Sequence, residues 1–414
     1  MKTKKLGALV FSLAVLLSSC KTENPGISYI SVSINAVSKI DGVSTNGLKV
    51  VLENFDEGVK IIKTLSGQTT IDSIIPGIYN ITVSGQAEDQ YGKAYNLSGS
   101  LTSRTLSTNK EVLKVDIDGS SFNPLIFKEI YYAGTKYTNA SGGSANYFRD
   151  QFYEIYNNSK LTIYLDGIYF ASLVPVKATA TLPVWPTTDS AKYVYTDRLW
   201  KIPGKGTQYP LAPGESFVIS QFAANHKLAI YCPTSPIDGS GSEFEFNMNN
   251  ANFPDQPADD MVHVFYNGSS EKGTVPQYLT SVFGGAYVIF KVPEGKTYDP
   301  VNDATLRTTN LATTSTTLYA KVPVKYVLDA VEAVDNEAAI QYKRIPSLLD
   351  AGATYVGATY NGLGVARKKI GENADGTPIL QDTNNSTDDF DRGVTPQFRR
   401  SNSKVPSWNH TLVK

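Results

Sequence analysis

The sequence predicts an all-β protein of two β-sandwich domains, and three observations carry that expectation. Apolar and polar residues alternate with period two over short runs. Turn pairs such as Asp41-Gly42, Asn46-Gly47 and Pro76-Gly77 separate those runs. The composition suits strands, with 25 Tyr, 17 Phe, 32 Gly and 21 Pro in 414 residues and only 19% charged side chains.

The chain begins with a segment that is not part of either sandwich. Lys2, Lys4 and Lys5 precede the apolar run Leu6 to Leu17, and Leu17-Ser18-Ser19-Cys20 follows. A run this short cannot span a bilayer as a mature helix, and the order of charge, apolar stretch and small residues is that of an export signal. The final four residues resemble a lipobox, in which cleavage between Ser19 and Cys20 follows alkylation of the Cys20 sulfur. Residues 1–19 are then a lipoprotein signal peptide and residues 20–26 a lipidated tether. The acyl chains (palmitate among them) would hold the protein at the outer membrane, with the cell-surface and periplasmic faces both open.

Removing the three lysines of the signal leaves about 35 basic against 39 acidic side chains, so no basic surface for nucleic acid is implied. With Cys20 consumed by lipid, Cys232 is the one remaining cysteine, which excludes an internal disulfide. Its setting, Ala229-Ile230-Tyr231-Cys232-Pro233, is that of a buried, inert thiol.

Residues 27–120 form the first expected sandwich. Ile30, Val32 and Ile34 alternate with serines, Leu48 to Leu52 is the next strand, and Pro76-Gly77 turns the chain into Ile78-Tyr79-Asn80-Ile81-Thr82-Val83. That strand, turn and Tyr-bearing strand resemble the small prealbumin-like sandwich of carboxypeptidase regulatory-like domains. Asp118 to Asn123 is a polar junction, and residues 121–414 form the second, larger domain.

Within it, Tyr147 to Phe170 (YFRDQFYEIYNNSKLTIYLDGIYF) reads as a hairpin turned by Asn157-Asn158-Ser159. Phe152, Glu154 and Tyr156 fall on one face of its first strand, Tyr153 and Ile155 on the other. Ile126 to Tyr132, Tyr153 to Ser159, Leu165 to Phe170, Leu211 to Ile219, Gly364 to Lys369 and Asp382 to Phe390 resemble the lamin-tail domain, an immunoglobulin-like sandwich of secreted bacterial proteins. That resemblance implies loop insertions over residues 175–205 and 221–350. The whole layout is similar to uncharacterised exported lipoproteins of Gram-negative anaerobes. Val327, Leu328, Val331 and Val334 fit a short helical stripe, with a strand as the alternative.

Chemistry is sparse in the sequence. Zincin, P-loop and nucleophile-elbow patterns are absent, and no cofactor is implied. His226 and His263 flank Asp255, Asp259 and Asp260, which makes a metal or haem site conceivable, although satisfied histidines explain the pattern as well. Asp382, Asn384 and Asp388 place oxygens at alternate positions as calcium loops do, yet Thr387 stands where an EF-hand needs Gly; a self-capped turn is the simpler reading. Trp185, Tyr193, Tyr195 and Trp200 form a candidate aromatic platform for a glycan or peptide, with an edge plug as the alternative.

The expectation is a non-enzymatic, lipid-anchored binding or structural protein. Two rivals stay open: an accessory lipoprotein capturing iron, haem or another nutrient for a TonB-dependent transporter, and a hydrolase of glycans or peptides using paired carboxylates.

Overall fold

A computed structural model of the chain describes residues 28–54, 56–88, 94–121, 125–139, 141–189 and 191–412. The signal, Ser19, Cys20 and the tether lie outside the described residues, as do residues 122–123 of the expected junction. Among the described residues no helix is long and apolar enough to cross a membrane.

The protein is all-β. Its first seven strands are β1 (Ile30–Ser38), β2 (Lys49–Asn54), β3 (Val59–Thr64), β4 (Thr69–Ile74), β5 (Gly77–Glu88), β6 (Ala94–Leu106) and β7 (Glu111–Ser121). They hydrogen-bond in the order β3-β2-β5-β6-β7-β1-β4. β6 follows β5 along its length but meets β7 only through Tyr95 to Ser98, and β1 runs parallel to β7. The alternation read in the sequence fills one core with Val32, Ile34, Val50, Leu52, Tyr79, Ile81, Val83 and Val115, and all members of that core come from residues 30–117.

Two further sheets make the larger sandwich. One has seven strands, in the order 259–260, 244–245, 216–220, 152–157, 125–131, 364–367 and 390–394. The other has eight strands and centres on 193–201, 168–173, 286–291 and 327–334, with 262–266 added against 193–201. Phe127, Tyr153, Ile155, Phe217 and Val365 of the first sheet pack against Phe170, Trp200, Tyr287, Ile289 and Val331 of the second. Side chains interdigitating from two inner faces are what define a sandwich core.

Three expectations are corrected here. Residues 152–157 and 163–164 do not pair as a hairpin: the first strand lies between 125–131 and 216–220, whereas Ile163-Tyr164 pairs with Pro210-Leu211 and the chain then enters the opposite sheet at Ile168. Asn157 uses its side chain to receive Ser159 N–H and to donate to the Leu161 and Leu211 carbonyls, so the turn is real but redirects the chain between layers.

The regions expected as loop insertions, 175–205 and 221–350, in fact supply most of the second sheet. Last, the apolar stripe at residues 327–334 is a strand, preceded by one 3₁₀ turn at Val324–Tyr326. Its whole length is buried or nearly so, and a strand covered on both faces loses the period-two signal.

The outer face of the seven-stranded sheet explains a second oddity of the sequence. A bulge in the strand Leu125–Tyr131 skips Lys128 in the pairing with Glu154 and Ile155. Phe127 and Ile130 therefore both point inward, while Lys128 and Glu129 both point outward. The C-terminal segment covers them: Lys128 Nζ donates to Glu154 Oε1 at 2.8 Å and to Ser403 Oγ at 2.6 Å, and Arg400 Nε donates to Glu129 Oε2 at 2.8 Å.

Candidate functional site

The sequence-predicted residues are not gathered into one site. Trp185 is half-buried and stacks on Tyr195 with ring centroids 4.0 Å apart, and Lys321 Nζ lies 4.9 Å from the Tyr193 ring centroid. Trp200 is elsewhere: it is 0% exposed, in the core, against Phe246, His263 and Tyr278. Trp200 is packed in the core apart from the Trp185–Tyr195 stack, so the platform expected from four aromatics has at most three.

His226 and His263 are satisfied rather than ligating. His226 Nε2 bonds the Phe222 carbonyl at 2.9 Å and its Nδ1 meets the Tyr147 hydroxyl at 2.7 Å. His263 Nδ1 bonds the Ser270 carbonyl at 2.8 Å and its Nε2 faces Arg198 Nη1 at 3.1 Å. Burial pushes each imidazole down to about 4, so both are neutral at pH 7.

Asp382 joins Asp329 and Asp389 around the buried Arg367 guanidinium, and Asn385 caps the single turn Ser386–Asp389. With Asp382 committed to arginine and Asp388 to the Asn385 side chain, the turn reading accounts for this stretch. Cys232 is buried and unpaired with another cysteine.

What the structure does bring together lies at the edge of the seven-stranded sheet. The short strand Phe244–Glu245 runs parallel to Ser216–Ser220 on one side and to Asp259–Asp260 on the other. Glu245 and Asp260 are register partners, so their carboxylates lie side by side on one face. The connection between them, rich in Asn, Asp and Pro, carries Asp255 to the same point. One carboxylate oxygen from each of Glu245, Asp255 and Asp260 lies within 4.8 Å of the others.

Like charges directly opposite on neighbouring strands oppose folding, so this arrangement is not explained by sheet stability. Glu245 is buried and receives Ala223 N–H and Gln256 N–H at 2.9 Å each. Burial foremost, with Asp260 and Asp255 adding to it, pushes its carboxyl up to about 7. Asp260 is raised as well, by burial first and then by Asp255. Asn247 Nδ2 donates to Asp255 at 3.1 Å and to Asp260 at 3.3 Å, tying loop to strand.

Beside the trio is a groove of about 700 Å³, lined by Met248, Asn249, Asp260 to His263 and Ser270 to Thr274. It forms where the chain leaves one sheet at Asp260 and joins the other at Val262, bridging the open end of the sandwich. Lys272 closes one wall by donating to the Asn247 carbonyl at 2.6 Å. A much smaller cavity, about 10 Å³, lies behind and is lined by Glu245, Asn247, Gln221 and Gln277 among others. Asp255 and Asp260 were visible in the sequence as acids flanked by two histidines; Glu245 and Gln277 carried no signal there, because only the parallel pairing and the return of residues 270–280 bring them near.

A family model described as a protein of unknown function, DUF4876, matches residues 212–397. A crystal structure of a DUF4876 family protein from Bacteroides thetaiotaomicron is 55% identical, covering 92% of this chain and 100% of that one, with a TM-score of 0.69. None of the curated proteins matches. The chain belongs to the DUF4876 family.

Proposed function

We propose that this member of the DUF4876 family is an exported, lipid-anchored binding protein, in which a small sandwich carries a larger, lamin-tail-like sandwich away from the outer membrane. The observation that carries the reading is the groove of about 700 Å³ at the open end of the larger sandwich. Irregular loops supply most of its walls while two packed sheets hold those loops in place, which is the usual division of labour in a recognition surface. The order Lys2, Lys4, Lys5, apolar run, Ser18-Ser19-Cys20 supports the anchor. The paired carboxylates favour binding over hydrolysis. Glu245 is buried, both of its oxygens receive backbone N–H groups, and the 10 Å³ cavity at its side is far too small for a sugar ring.

Two measurements test the proposal. Cys20→Ala should abolish incorporation of labelled palmitate; labelling equal to wild type would overturn the anchor. The full-length protein should be stabilised in thermal melts by one class in a panel of glycans, peptides and haem. Val262→Trp, which fills the groove from an exposed strand position, should remove that response while melting as wild type does. A response untouched by Val262→Trp places recognition elsewhere, and conversion of a glycan or peptide into smaller products refutes a purely binding role.

A further inference from the structure

We propose that Glu245, Asp255 and Asp260 bind one calcium ion, with the Gln277 carboxamide oxygen completing the site directly or through a single water. The inference stands on geometry and is independent of what the groove binds. Three carboxylate oxygens within 4.8 Å of one another suit a common calcium ion, whose oxygen ligands at roughly 2.3–2.6 Å place opposed ligands about 5 Å apart. Magnesium demands near-ideal octahedral geometry and keeps several of its waters, so it is less suited than calcium to three converging protein carboxylates. The donors are all oxygen, with no imidazole or thiolate among them, which points to a hard cation.

None of the three carboxylates has an ion-pair partner among the described residues; Lys272 donates to Asn247 and Asn249 instead. Sheet register forces two of the charges together and the loop adds the third, and the nearby Lys272 offsets Asp260 without forming an ion pair with it.

A second observation is independent of the acids. Gln277 is only 8% exposed, yet neither its amide oxygen nor its amide nitrogen has a hydrogen-bond partner. The Oε1 of Gln221, a residue 1% exposed, is unpartnered too. Buried amide groups left unpaired are uncommon in native folds. Both glutamines line the 10 Å³ cavity that Glu245 and Asn247 also line, and a cavity of that size holds one water or ion. Glu245 is the residue shared by this cavity and the acidic trio, and an ion held between the two would clamp the 246–259 connection, whose Met248 and Asn249 form part of the groove wall.

The test uses the full-length protein stripped with a chelator and titrated calorimetrically with calcium or magnesium chloride. Calcium should bind with a stoichiometry of one and a Kd of roughly 0.1–1 mM, the range of exported calcium modules, and should raise the melting temperature. Magnesium should bind at least about tenfold more weakly. Asp255→Asn, on an exposed loop, should weaken calcium at least about tenfold while the metal-free protein melts no lower than wild type, because a repulsion has been removed. Gln277→Leu should weaken calcium without loss of metal-free stability. Should Asp255→Asn fail to fold, Asp260→Asn serves the same purpose. No heat and no thermal shift at 10 mM calcium, magnesium binding as tight as calcium, or wild-type calcium affinity in either aspartate variant would each overturn the proposal.

Discussion

Replacing Lys128 by Met is the sharpest test of how the larger sandwich is held together. Lys128 and Glu154 form an ion pair at 2.8 Å with side chains 2% and 0% exposed. Burial pulls the Lys128 ammonium below its usual range, and Glu154 and Glu129 pull it back. Lys128→Met would remove the cation and leave the Glu154 carboxylate with only Ser216 Oγ at 2.5 Å, Arg399 N–H at 3.0 Å and Ser403 Oγ at 3.3 Å. Leaving one partner of a buried pair uncompensated costs about 3–5 kcal/mol.

In a domain of this size that loss lowers the melting temperature by on the order of 10 °C. The double variant Lys128→Met/Glu154→Gln removes the charge but keeps a hydrogen-bonding group among Ser216, Ser403 and the Arg399 amide. It should recover most of the loss, ending within about 2 kcal/mol of wild type. Urea unfolding followed by circular dichroism, run on wild type, both single variants and the double variant, yields the coupling between the two sites. A Lys128→Met loss below about 1 kcal/mol, or a double variant as unstable as the sum of the singles, would refute the argument that charge compensation is what the pair contributes.

Other expectations are simpler to check. Trp200→Ala should cost roughly 3–5 kcal/mol because it empties the core, while Trp185→Ala should cost about 1 kcal/mol for the lost stack on Tyr195; equal thermal shifts would contradict the separation of the two rings. Gly284 has φ +86 and a Cβ there would sit 2.3 Å from the Ala333 carbonyl oxygen, so Gly284→Ala should destabilise by more than about 2 kcal/mol in a melt. The His226 imidazole is held at about 4 in the folded protein against an ordinary 6.5. The unfolded chain therefore gains a proton first as pH falls, and stability is lost between about pH 6.5 and 4. Tyr147, Tyr231, Arg149 and Asp238 are the polar and charged groups around it. Asp150, raised to about 6 by burial, contributes with the opposite sign, so wild type must be compared with His226→Gln. Relative to that variant, wild type should lose about 2–3 kcal/mol between pH 7 and pH 4.5, and parallel pH profiles would exclude the effect.

Much of the fold was legible because strands with one buried face write their pattern into the chain. The alternation from Ile30 to Ile34, the glycine turns at Gly42 and Gly47, and the opposed faces of Phe152 to Tyr156 all stand as read. Legibility ended where both faces are covered. The strand at residues 327–334 mimicked a helix, and the strands 193–201 and 286–291 looked like insertions, because a fully buried strand carries no period. The apparent hairpin failed for a related reason: an Asn-Asn-Ser turn specifies a change of direction, whereas the choice of partner strand depends on residues 216–220 and 125–131, far away in the chain.

The candidate site divides in the same way. Asp255 and Asp260 stand close in sequence between His226 and His263, but Glu245 belongs to another strand and Gln277 to a third segment. Local spacing by itself determined the all-β class, most turns, and a loop crowded with carboxylates. Only the tertiary structure decided that Trp200 and His226 are core, that Lys128 and Glu129 share one face through a bulge, and that parallel register sets Glu245 beside Asp260. Those outcomes depend on pairing between distant segments, and a residue's own neighbours in the chain exert no force that selects them.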